Sequence, residues 1–340
     1  MKAALLEDRG LAIREVPDPI VSAGAAILSV AACGVCRTDL HYLHGVPTVK
    51  PRPLVLGHEV TGVVVDASGG PKAGSRVLVP PVIPCGRCRF CLEGRNTLCA
   101  SMAMFGNHRD GGFAERIAVP AWATFPLPDR IPLIEGSVLS DAVSTAYHAL
   151  ANRGRIRPGE TVAIIGCGGV GLSAVQVAVA LGASVIAVDV AEAKLRAAER
   201  FGAKAVIDAS KAGDLGKVIR QATGGTDVAV EAIGKPATIA AAVESVRPGG
   251  RVVVIGYAEG PVTINASRLM FREIEILGSL GCGLQDFPKV LDLAARGRID
   301  VKALVTHRFP LEHTADALAL LESSAPDLIR AVVVPTGEGP

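Results

Sequence analysis

The chain has 340 residues, which is long enough for two domains of ordinary size. Its 35 basic and 33 acidic residues give a formal net charge of +2, so no basic surface is expected to hold nucleic acid or an anionic membrane. Hydrophobic residues make up 49% of the chain and aromatic residues only 4%, so Ala, Val, Leu and Ile must build the core.

The N-terminal segment MKAALLEDRG carries charges at Glu7, Asp8 and Arg9, where a signal peptide needs an apolar run. No stretch of the chain reaches the roughly 18 uninterrupted apolar residues expected of a membrane span. Eight cysteines, at least five of them in contexts typical of metal ligands, suit a reducing compartment better than a disulfide framework. We therefore expect a cytoplasmic protein that binds neither membrane nor nucleic acid.

Short strands broken by glycine and proline predominate up to about residue 140. Runs at 25–31, 60–65 and 76–79 are strand-like, and the turn sequence SGGP at 68–71 separates the last two. Helical periodicity is weak in this part of the chain. We therefore predict a mainly β domain.

Four closely spaced cysteines interrupt this β region. Cys85, Cys88, Cys91 and Cys99 follow the spacing C-x2-C-x2-C-x7-C. Tetrahedral zinc needs four ligands within roughly 2.3 Å of the metal, and tight turns between close cysteines supply that geometry. The regular spacing disfavours four unrelated buried cysteines and predicts a structural zinc lobe, which by itself implies no activity.

From about residue 145 the chain alternates between strands and helices. Apolar runs predict strands at 161–165, 184–189, 205–207, 227–232 and 251–255. The intervening segments predict helices at 169–181, 191–201, 213–222 and 236–246. Apolar strands joined by helices imply a parallel sheet covered on both faces, so this half is predicted to be a doubly wound α/β domain.

A glycine-rich turn opens the first of these helices. Gly166, Gly168 and Gly171 form the pattern G-x-G-x-x-G, with Gly169 and Val170 between the last two. A strand before the turn and a helix after it is the context required of a dinucleotide site. The first glycine makes the turn, the second lets the backbone approach a pyrophosphate, and the third lets the helix pack close to the sheet.

Asp189 ends the next strand, 18 residues beyond Gly171. Its carboxylate can accept hydrogen bonds from both adenosine ribose hydroxyls and would repel a 2′-phosphate. Val190 and Ala191 supply no arginine directly after it, so the sequence favours NAD over NADP. The alternative role for Asp189 is a solvated helix N-cap.

The four-cysteine spacing and several further motifs resemble the zinc-dependent alcohol dehydrogenases of the medium-chain dehydrogenase/reductase superfamily. The matching motifs are GVCRTD at 34–39, GHE at 57–59, GCGGVG at 166–171 and IRAVV at 329–333. Their order and separations are similar to those of the family over essentially the whole chain.

This resemblance implies a two-domain α/β architecture. A GroES-like mainly-β catalytic domain is expected at 1–144, with the structural-zinc lobe at 84–100, and an NAD-binding Rossmann domain at 145–281. Residues 282–340 are expected to return to the catalytic domain, with a helix at 286–296 and a final strand at 329–334.

The resemblance also implies a catalytic zinc site. Cys36 and His58 match the family's first two zinc ligands, and Glu59 matches the adjacent glutamate. The family's third ligand is often a cysteine in a segment close to C-A-G-x-T-x-Y, and here Asp141 replaces it in the segment DAVSTAY. One thiolate, one imidazole and one carboxylate still neutralise Zn2+ and leave a fourth position open. The alternative is that Asp141 caps a helix starting near residue 142.

Four residues around this site take roles that the resemblance implies. Asp39 orients His58 through its second ring nitrogen. Thr38 takes the alcohol proton and passes it through the nicotinamide ribose to His41, whose unperturbed pKa of ~6.5 suits proton release. Glu59 lies beside the metal, and its alternative role is a buried charge in a structural ion pair.

Two arginines match family positions at which arginine contacts the cofactor pyrophosphate. They are Arg37 and Arg330, and the alternative for each is an ordinary surface charge. Together these assignments imply one NAD and two Zn2+ per subunit, one catalytic and one structural.

We therefore predict an NAD-dependent zinc alcohol dehydrogenase that converts a primary or secondary alcohol reversibly into an aldehyde or ketone. Within the same chemistry, the segment DAVSTAYH at 141–148 is similar to a branch that includes hydroxyacyl-CoA dehydrogenases of alicyclic acids, although no basic cluster for a CoA phosphate is evident. One alternative from another class is a zinc-free enone or quinone reductase, which lacks the Cys…His-Glu set. Another is a non-catalytic zinc-binding regulatory module, which gives Thr38 and His41 no purpose.

The expected partners are a small-molecule alcohol or carbonyl compound and further copies of the chain. Relatives pair the edge strands of their cofactor domains, which correspond here to 251–256 and 275–279. The resemblance therefore implies a homodimer or a homotetramer.

Overall fold

The structure, a computed structural model, describes residues 1–336, and these form two compact units. The first unit comprises Met1–Asp141, Gly283–Ala295 and the chain from Val301 onward. The second unit comprises Ala142–Cys282 and Arg296–Asp300. The chain therefore crosses to the second unit at residue 142 and makes a brief second excursion at 296–300.

Strands and helices are numbered here in chain order. The strands are β1 (Lys2–Glu7), β2 (Gly10–Glu15), β3 (Ala25–Gly34), β4 (Leu54–Val55), β5 (Glu59–Ala67), β6 (Arg76–Val79), β7 (Val82–Ile83), β8 (Ala103–Met104), β9 (Arg116–Pro120), β10 (Phe125–Pro126), β11 (Thr161–Ile165), β12 (Ser184–Asp189), β13 (Ala205–Asp208), β14 (Thr226–Glu231), β15 (Val246–Val254), β16 (Glu275–Gly278), β17 (Val305–Pro310) and β18 (Arg330–Val334). The helices are α1 (Arg37–Leu43), α2 (Arg89–Leu92), α3 (Ala142–Tyr147), α4 (Gly169–Ala180), α5 (Glu192–Arg200), α6 (Leu215–Thr223), α7 (Pro236–Ser245), α8 (Ala266–Arg272), α9 (Phe287–Ala295), α10 (Val301–Leu304) and α11 (Thr314–Glu322).

The first unit is built mainly from β-sheets. Its largest sheet has the strand order β10-β6-β5-β3-β18-β17, and β9 also pairs with β3. A three-stranded sheet, β2-β1-β4, and the two-stranded ribbon β7-β8 complete it. The core between these strands is aliphatic, and its largest fully buried side chains include Phe105 and Phe113.

The central strand of the large sheet joins distant parts of the chain. On β3, Gly34 lies opposite Glu59 of β5 on one side and Val332 of β18 on the other. Because β18 begins at Arg330, this pairing brings the end of the chain beside the start of β5. Residues far apart in sequence thus meet at one end of the sheet.

The second unit is a six-stranded parallel sheet with the order β13-β12-β11-β14-β15-β16. Strand order reverses around β11, and ligands of such sheets bind at the carboxyl ends of the strands beside that reversal. The predicted mainly-β first domain and the predicted doubly wound parallel sheet of the second domain are both confirmed.

The structure departs from the predicted elements in several places, two of which are β15 and α1. β15 begins at Val246 rather than at 251, because an irregular register lets Thr226 pair with Val246 before regular pairing resumes at Val228 and Arg251. Helix α1 was not predicted, since a helix of seven residues carries too little periodicity to be read from sequence. Within residues 1–336, no helix combines the length and apolar character needed to cross a bilayer.

Candidate functional site

Four potential metal ligands from the first unit lie together. One donor atom each from Cys36, His58, Glu59 and Asp141 lies within 4.8 Å of the others. The Asp141 Oδ2 atom lies 3.6 Å from Cys36 Sγ and 3.6 Å from His58 Nε2. His58 and Glu59 are buried, whereas Cys36 and Asp141 are half-buried. We call these four residues the mixed-donor cluster.

Backbone geometry positions each of these side chains. Cys36 is the N-cap of α1, and its backbone N–H donates to Asp39 Oδ2 at 3.0 Å. The other oxygen of Asp39 accepts from the backbone N–H of Gly57, the residue before His58, at 3.2 Å. One buried carboxylate therefore ties the Cys36 segment to the His58 segment.

Asp141 reaches the cluster from a different part of the chain. The hydroxyl of the preceding residue, Ser140, donates to the carbonyl of Val79 on β6 at 2.5 Å. That bond fixes the chain just before α3 begins at Ala142. The structure thus brings the carboxylate that was predicted as the third zinc ligand within 3.6 Å of Cys36 Sγ and His58 Nε2.

The spacing of the donors fits a zinc ion. Bonds of about 2.3 Å to sulfur and 2.0–2.1 Å to nitrogen and oxygen place neighbouring tetrahedral donors about 3.3–3.5 Å apart. The observed separations of 3.6 Å from Asp141 Oδ2 to Cys36 Sγ and to His58 Nε2 are close to this. Glu59 Oε2 is also buried and has no hydrogen-bond partner among residues 1–336, so the cluster holds an uncompensated oxygen.

Charge around the cluster also favours a bound cation. Burial raises the pKa of the Cys36 thiol and of the Glu59 carboxyl group, because water is removed from their anionic forms. Burial lowers the pKa of His58, but the carboxylates of Asp39 and Asp141 outweigh it and raise that pKa well above its ordinary value. Anionic groups are therefore in local excess, as the donor set of a divalent cation requires.

The second ring nitrogen of His58 faces Asp39. Nδ1 lies 3.4 Å from Asp39 Oδ1, while Nε2 lies on the side of Asp141. Metal-bound histidines usually present their other nitrogen to a carboxylate in this way. The Nδ1 atom and the carboxylate are close, but their contact lacks hydrogen-bond geometry in this structure.

Glu59 forms a buried ion pair that the sequence did not specify. Its Oε1 accepts a hydrogen bond from the guanidinium of Arg330, and both side chains are at least nine-tenths buried. Burial lowers the pKa of Arg330, but the facing Glu59 carboxylate outweighs it and raises that pKa above its usual value. Gly34 makes room for the pair, because a Cβ there would lie 2.0 Å from Glu59 Oε2.

The two arginines predicted to contact the cofactor differ in surroundings. Arg330 is buried against Glu59, which matches the structural-pair alternative for Glu59. Arg37 is exposed, and its guanidinium donates to the Ser324 hydroxyl at 3.1 Å. Contact of either arginine with a pyrophosphate stays a prediction.

Thr38 and His41 lie on α1, directly after Cys36. The Thr38 hydroxyl oxygen lies 3.7 Å from Cys36 Sγ, and His41 follows one helical turn later. Both side chains are half-buried. The structure therefore brings the Thr38 hydroxyl next to the mixed-donor cluster.

A second cluster is formed by the four cysteines at 85–99, within a segment that we call the four-cysteine lobe. The sulfur of Cys91 lies 3.9 Å from that of Cys85 and 3.5 Å from that of Cys88. Cys99 Sγ accepts from the backbone N–H of Cys85 at 3.3 Å. Sulfurs around a tetrahedral zinc lie about 3.8 Å apart, so this cluster also fits zinc.

Two thiols of the lobe differ in acidity. Backbone N–H groups of Arg87 and Cys88 lower the pKa of Cys85 to about 6, which favours a thiolate at neutral pH. Burial and the neighbouring Cys88 thiol raise the pKa of Cys91 to about 11. The Cys85 thiolate therefore forms readily at neutral pH, whereas ionisation of Cys91 requires a stabilising cation.

The glycine-rich turn lies in the second unit, between β11 and α4. A Cβ on Gly168, the N-cap of α4, would meet no atom within 4 Å, so the backbone there is open to an approaching ligand. A Cβ on Gly171 would lie 1.7 Å from the carbonyl oxygen of Gly166, so only glycine allows this helix its close approach. Gly169 and Val170, in the first helical turn, are half-buried.

Asp189 ends β12 beside this turn. Its Oδ2 accepts from the backbone N–H of Cys167 at 2.7 Å, and its Oδ1 accepts from Val190 and Ala191 at 2.8 and 2.9 Å. A carboxylate offers about four acceptor positions, so hydroxyl donors can still bind. The carboxylate thus holds the glycine-rich turn and stays half-exposed, and its contact with a ribose stays a prediction.

Comparison with known protein families gives two matches. The family described as alcohol dehydrogenase GroES-like domain matches residues 22–129, and the family described as zinc-binding dehydrogenase matches residues 169–296. Among curated proteins, an alcohol dehydrogenase of Geobacillus stearothermophilus is 37% identical over 306 residues, covering 88% of this chain and 90% of that protein. A sorbitol dehydrogenase of Bacillus subtilis is 33% identical, covering 98% of this chain and 97% of that protein.

Solved structures are similar over nearly the whole chain. A zinc-binding dehydrogenase from Sinorhizobium meliloti bound to NADP has a TM-score of 0.90 and 34% identity, covering 98% of this chain and 99% of that chain. An alcohol dehydrogenase from Escherichia coli in complex with NADH has a TM-score of 0.91 and 29% identity, with the same two coverages of 98% and 99%.

Proposed function

Because the chain belongs to the zinc-dependent alcohol dehydrogenases of the medium-chain dehydrogenase/reductase superfamily, we propose that the mixed-donor cluster is its catalytic zinc site. The protein is a zinc-dependent oxidoreductase that transfers hydride between an alcohol and NAD. The assignment of the site depends on one observation, the two separations of 3.6 Å that link Asp141 to Cys36 and His58.

Cys36, His58 and Asp141 would hold the catalytic zinc in this proposal. When bound, zinc supplies a positive charge that lowers the pKa of an alcohol hydroxyl group, and NAD supplies the hydride acceptor. Three protein ligands leave one position for the substrate oxygen. Asp39 orients the His58 ring, and Glu59, neutralised by Arg330, provides a nearby carboxylate without adding net charge.

We assign proton removal to α1. The Thr38 hydroxyl accepts the alcohol proton as it gives up its own proton towards His41, and its distance of 3.7 Å from Cys36 Sγ supports this role. His41, half-buried and one turn further along the helix, releases the proton to water. A histidine suits this role because its unperturbed pKa of ~6.5 is close to physiological pH.

In this proposal the glycine-rich turn and Asp189 bind the dinucleotide, and they select NAD rather than NADP. The open backbone at Gly168 supports an approach of the pyrophosphate. Val190, an exposed apolar residue after Asp189, offers no charge to attract a 2′-phosphate. Arg37 and Arg330 are assigned to the pyrophosphate.

The four-cysteine lobe is proposed to hold a structural zinc. Its four thiolates would close the coordination shell and leave no position for substrate. The two alternatives from other classes find no support: a zinc-free reductase has no need of two donor clusters, and a non-catalytic regulatory module is not consistent with membership of a dehydrogenase family.

The quaternary structure is proposed to be a homodimer or a homotetramer formed through the edge strand β16. The prediction that 251–256 is also an edge was wrong, because 251–254 lies in β15, which pairs with β14 on one side and β16 on the other. Exposed apolar side chains at and near this edge support the proposal, and they include Met270, Phe271, Ile276 and Leu280. The location is proposed to be cytoplasmic, because all eight cysteines are free thiols in the structure.

The test is a panel of primary, secondary and CoA-linked alcohols assayed with NAD and with NADP. We expect hydride transfer to NAD with free alcohols, and at least about tenfold weaker use of NADP because of Asp189. The variant Asp189→Ala should reduce the difference between the use of NAD and the use of NADP. Activity confined to CoA-linked alcohols would favour the hydroxyacyl-CoA alternative, and equal use of both cofactors would contradict the role of Asp189.

A further inference from the structure

Helix α1 is short and depends on contacts at both of its ends. It has seven residues, fewer than an isolated helix needs for stability in water. Its first turn is fixed by the Asp39 carboxylate, which accepts from the backbone N–H groups of Cys36 and Gly57. Of the proposed proton-transfer residues, Thr38 lies in this first turn and His41 lies in the last one.

The last turn is fixed by a side chain with no role in the proposed chemistry. Tyr42 is 7% exposed, and its hydroxyl oxygen accepts a hydrogen bond from the side-chain amide of Asn107. The same hydroxyl lies 3.8 Å from the sulfur of Met104, to which it donates. Both hydrogen-bonding functions of the phenol are therefore used within the 104–107 segment.

Asn107 also holds the chain that follows α1. Its side-chain carbonyl accepts from the backbone N–H of Val49 at 2.9 Å, and its backbone carbonyl accepts from the N–H of Lys50 at 2.9 Å. The side-chain amide of Asn107 thus binds α1 through its nitrogen and the loop after α1 through its oxygen. Since the donor and acceptor ends are distinct, the orientation of the amide is fixed.

Met104 and Asn107, which contact Tyr42 of α1, lie at the base of the four-cysteine lobe. Met104 is the last residue of β8, which pairs with β7 and so closes the segment that carries the cysteines. The N–H of Phe105, a fully buried residue, donates to the carbonyl of Pro81 at 3.1 Å. The lobe and α1 are therefore connected through a few directed contacts.

We propose that Tyr42 and Asn107 are positioning residues that fix α1 against the base of the four-cysteine lobe, so that order in the lobe is transmitted to the proton-transfer residues. This inference rests on the proposed role of Thr38 and His41. It gives the lobe a part in turnover in addition to its part in stability. A small displacement of a reacting group is costly, since about 1 Å can lower a rate by up to about 100-fold.

The test uses Tyr42→Phe, Asn107→Ala and the double variant, each with zinc content measured. We expect each single variant to lower kcat about tenfold, with the KM for NAD changed less than about twofold. The kcat of the double variant should be no lower than that of the slower single variant, because both substitutions break the same connection between α1 and the lobe. Hydrogen exchange of the amides at 37–44 should accelerate in all three.

A matched control removes a contact of His44, the C-cap residue of the same helix. His44 forms an exposed ion pair with Glu322 at 3.1 Å, and such pairs contribute little. Glu322→Gln should leave kcat and the exchange of α1 unchanged.

Three results would overturn the inference: additive losses in the double variant, unchanged kcat with unchanged exchange, or loss of zinc from the mixed-donor cluster in parallel with kcat. A wild-type protein without hydride transfer would instead refute the proposed function, and the exchange measurement would still decide whether Tyr42 and Asn107 hold α1.

Discussion

The four-cysteine lobe draws all its donors from the single segment 85–99, whereas the mixed-donor cluster draws its donors from residues 36, 58, 59 and 141. Donors in the lobe are all sulfur and mostly half-exposed. Those of the mixed-donor cluster are sulfur, nitrogen and oxygen, and they lie beside the buried Glu59–Arg330 pair. A local set of identical soft donors suits a closed structural site, while a long-range mixed set suits an open one.

This difference also decides what each cluster depends on. The lobe needs only its own turns and the β7-β8 ribbon. The mixed-donor cluster needs the β3-β5 and β3-β18 pairings, the Asp39 bridge and the Ser140 contact, so it forms only when much of the first unit has folded. Substitutions on the exposed surface of the lobe should therefore act locally, whereas substitutions at the mixed-donor cluster should act broadly.

The largest effect is expected from Asp141→Ala, which removes one corner of the mixed-donor cluster. We predict that kcat/KM falls by about 1,000-fold and that about one zinc per chain is lost. Asp141→Cys, which supplies the ligand common in the family, is the matched control and should retain zinc and most of the activity. Steady-state kinetics with metal analysis checks both, and an Asp141→Ala variant that keeps two zinc ions and normal turnover would contradict the assignment.

The next effect concerns the buried ion pair. Arg330→Met leaves the Glu59 carboxylate buried without a partner, so we predict a loss of about 3–5 kcal/mol in the free energy of unfolding. The double variant Arg330→Met/Glu59→Gln should recover most of that loss, because no unpaired charge stays buried. Denaturant unfolding of the zinc-loaded proteins measures both, and equal losses in the two variants would show that the charge is not the cause.

The smallest effect is expected from the corresponding arginine–carboxylate pair of the lobe. Arg89 and Glu93 lie 2.6 Å apart on an exposed surface, with Arg89 84% accessible. Arg89→Ala should lower stability by less than about 0.5 kcal/mol. The same unfolding assay applies, and a loss comparable to that of Arg330→Met would remove the distinction drawn here between the two regions.

Sequence analysis could anticipate the parts of the molecule that depend on local pattern. The parallel sheet was predicted because apolar runs such as 161–165 and 184–189 alternate with helices, and the lobe because its cysteines are close in sequence. Asp141 was predicted as a ligand only from the resemblance to the family, because no spacing rule connects it with Cys36, which lies 105 positions earlier in the chain.

The contacts that sequence could not supply are those made between distant side chains. Glu59 and Arg330 are 271 positions apart, and their pairing follows from strand register alone. The link between Tyr42 and Asn107 spans 65 positions, and neither residue lies in a recognisable motif. Pairings of this kind depend on how the sheets close, which composition and periodicity do not encode.

The most direct test of the central claim is a zinc count per chain, taken together with hydride transfer before and after brief exposure to a chelator. The open mixed-donor cluster should release its metal before the closed four-thiolate lobe does. We predict two zinc ions initially, one after chelation, complete loss of hydride transfer with the first ion, and recovery when zinc is returned. Full activity in a protein that retains only the lobe zinc would contradict the assignment of Cys36, His58 and Asp141 as the catalytic metal site.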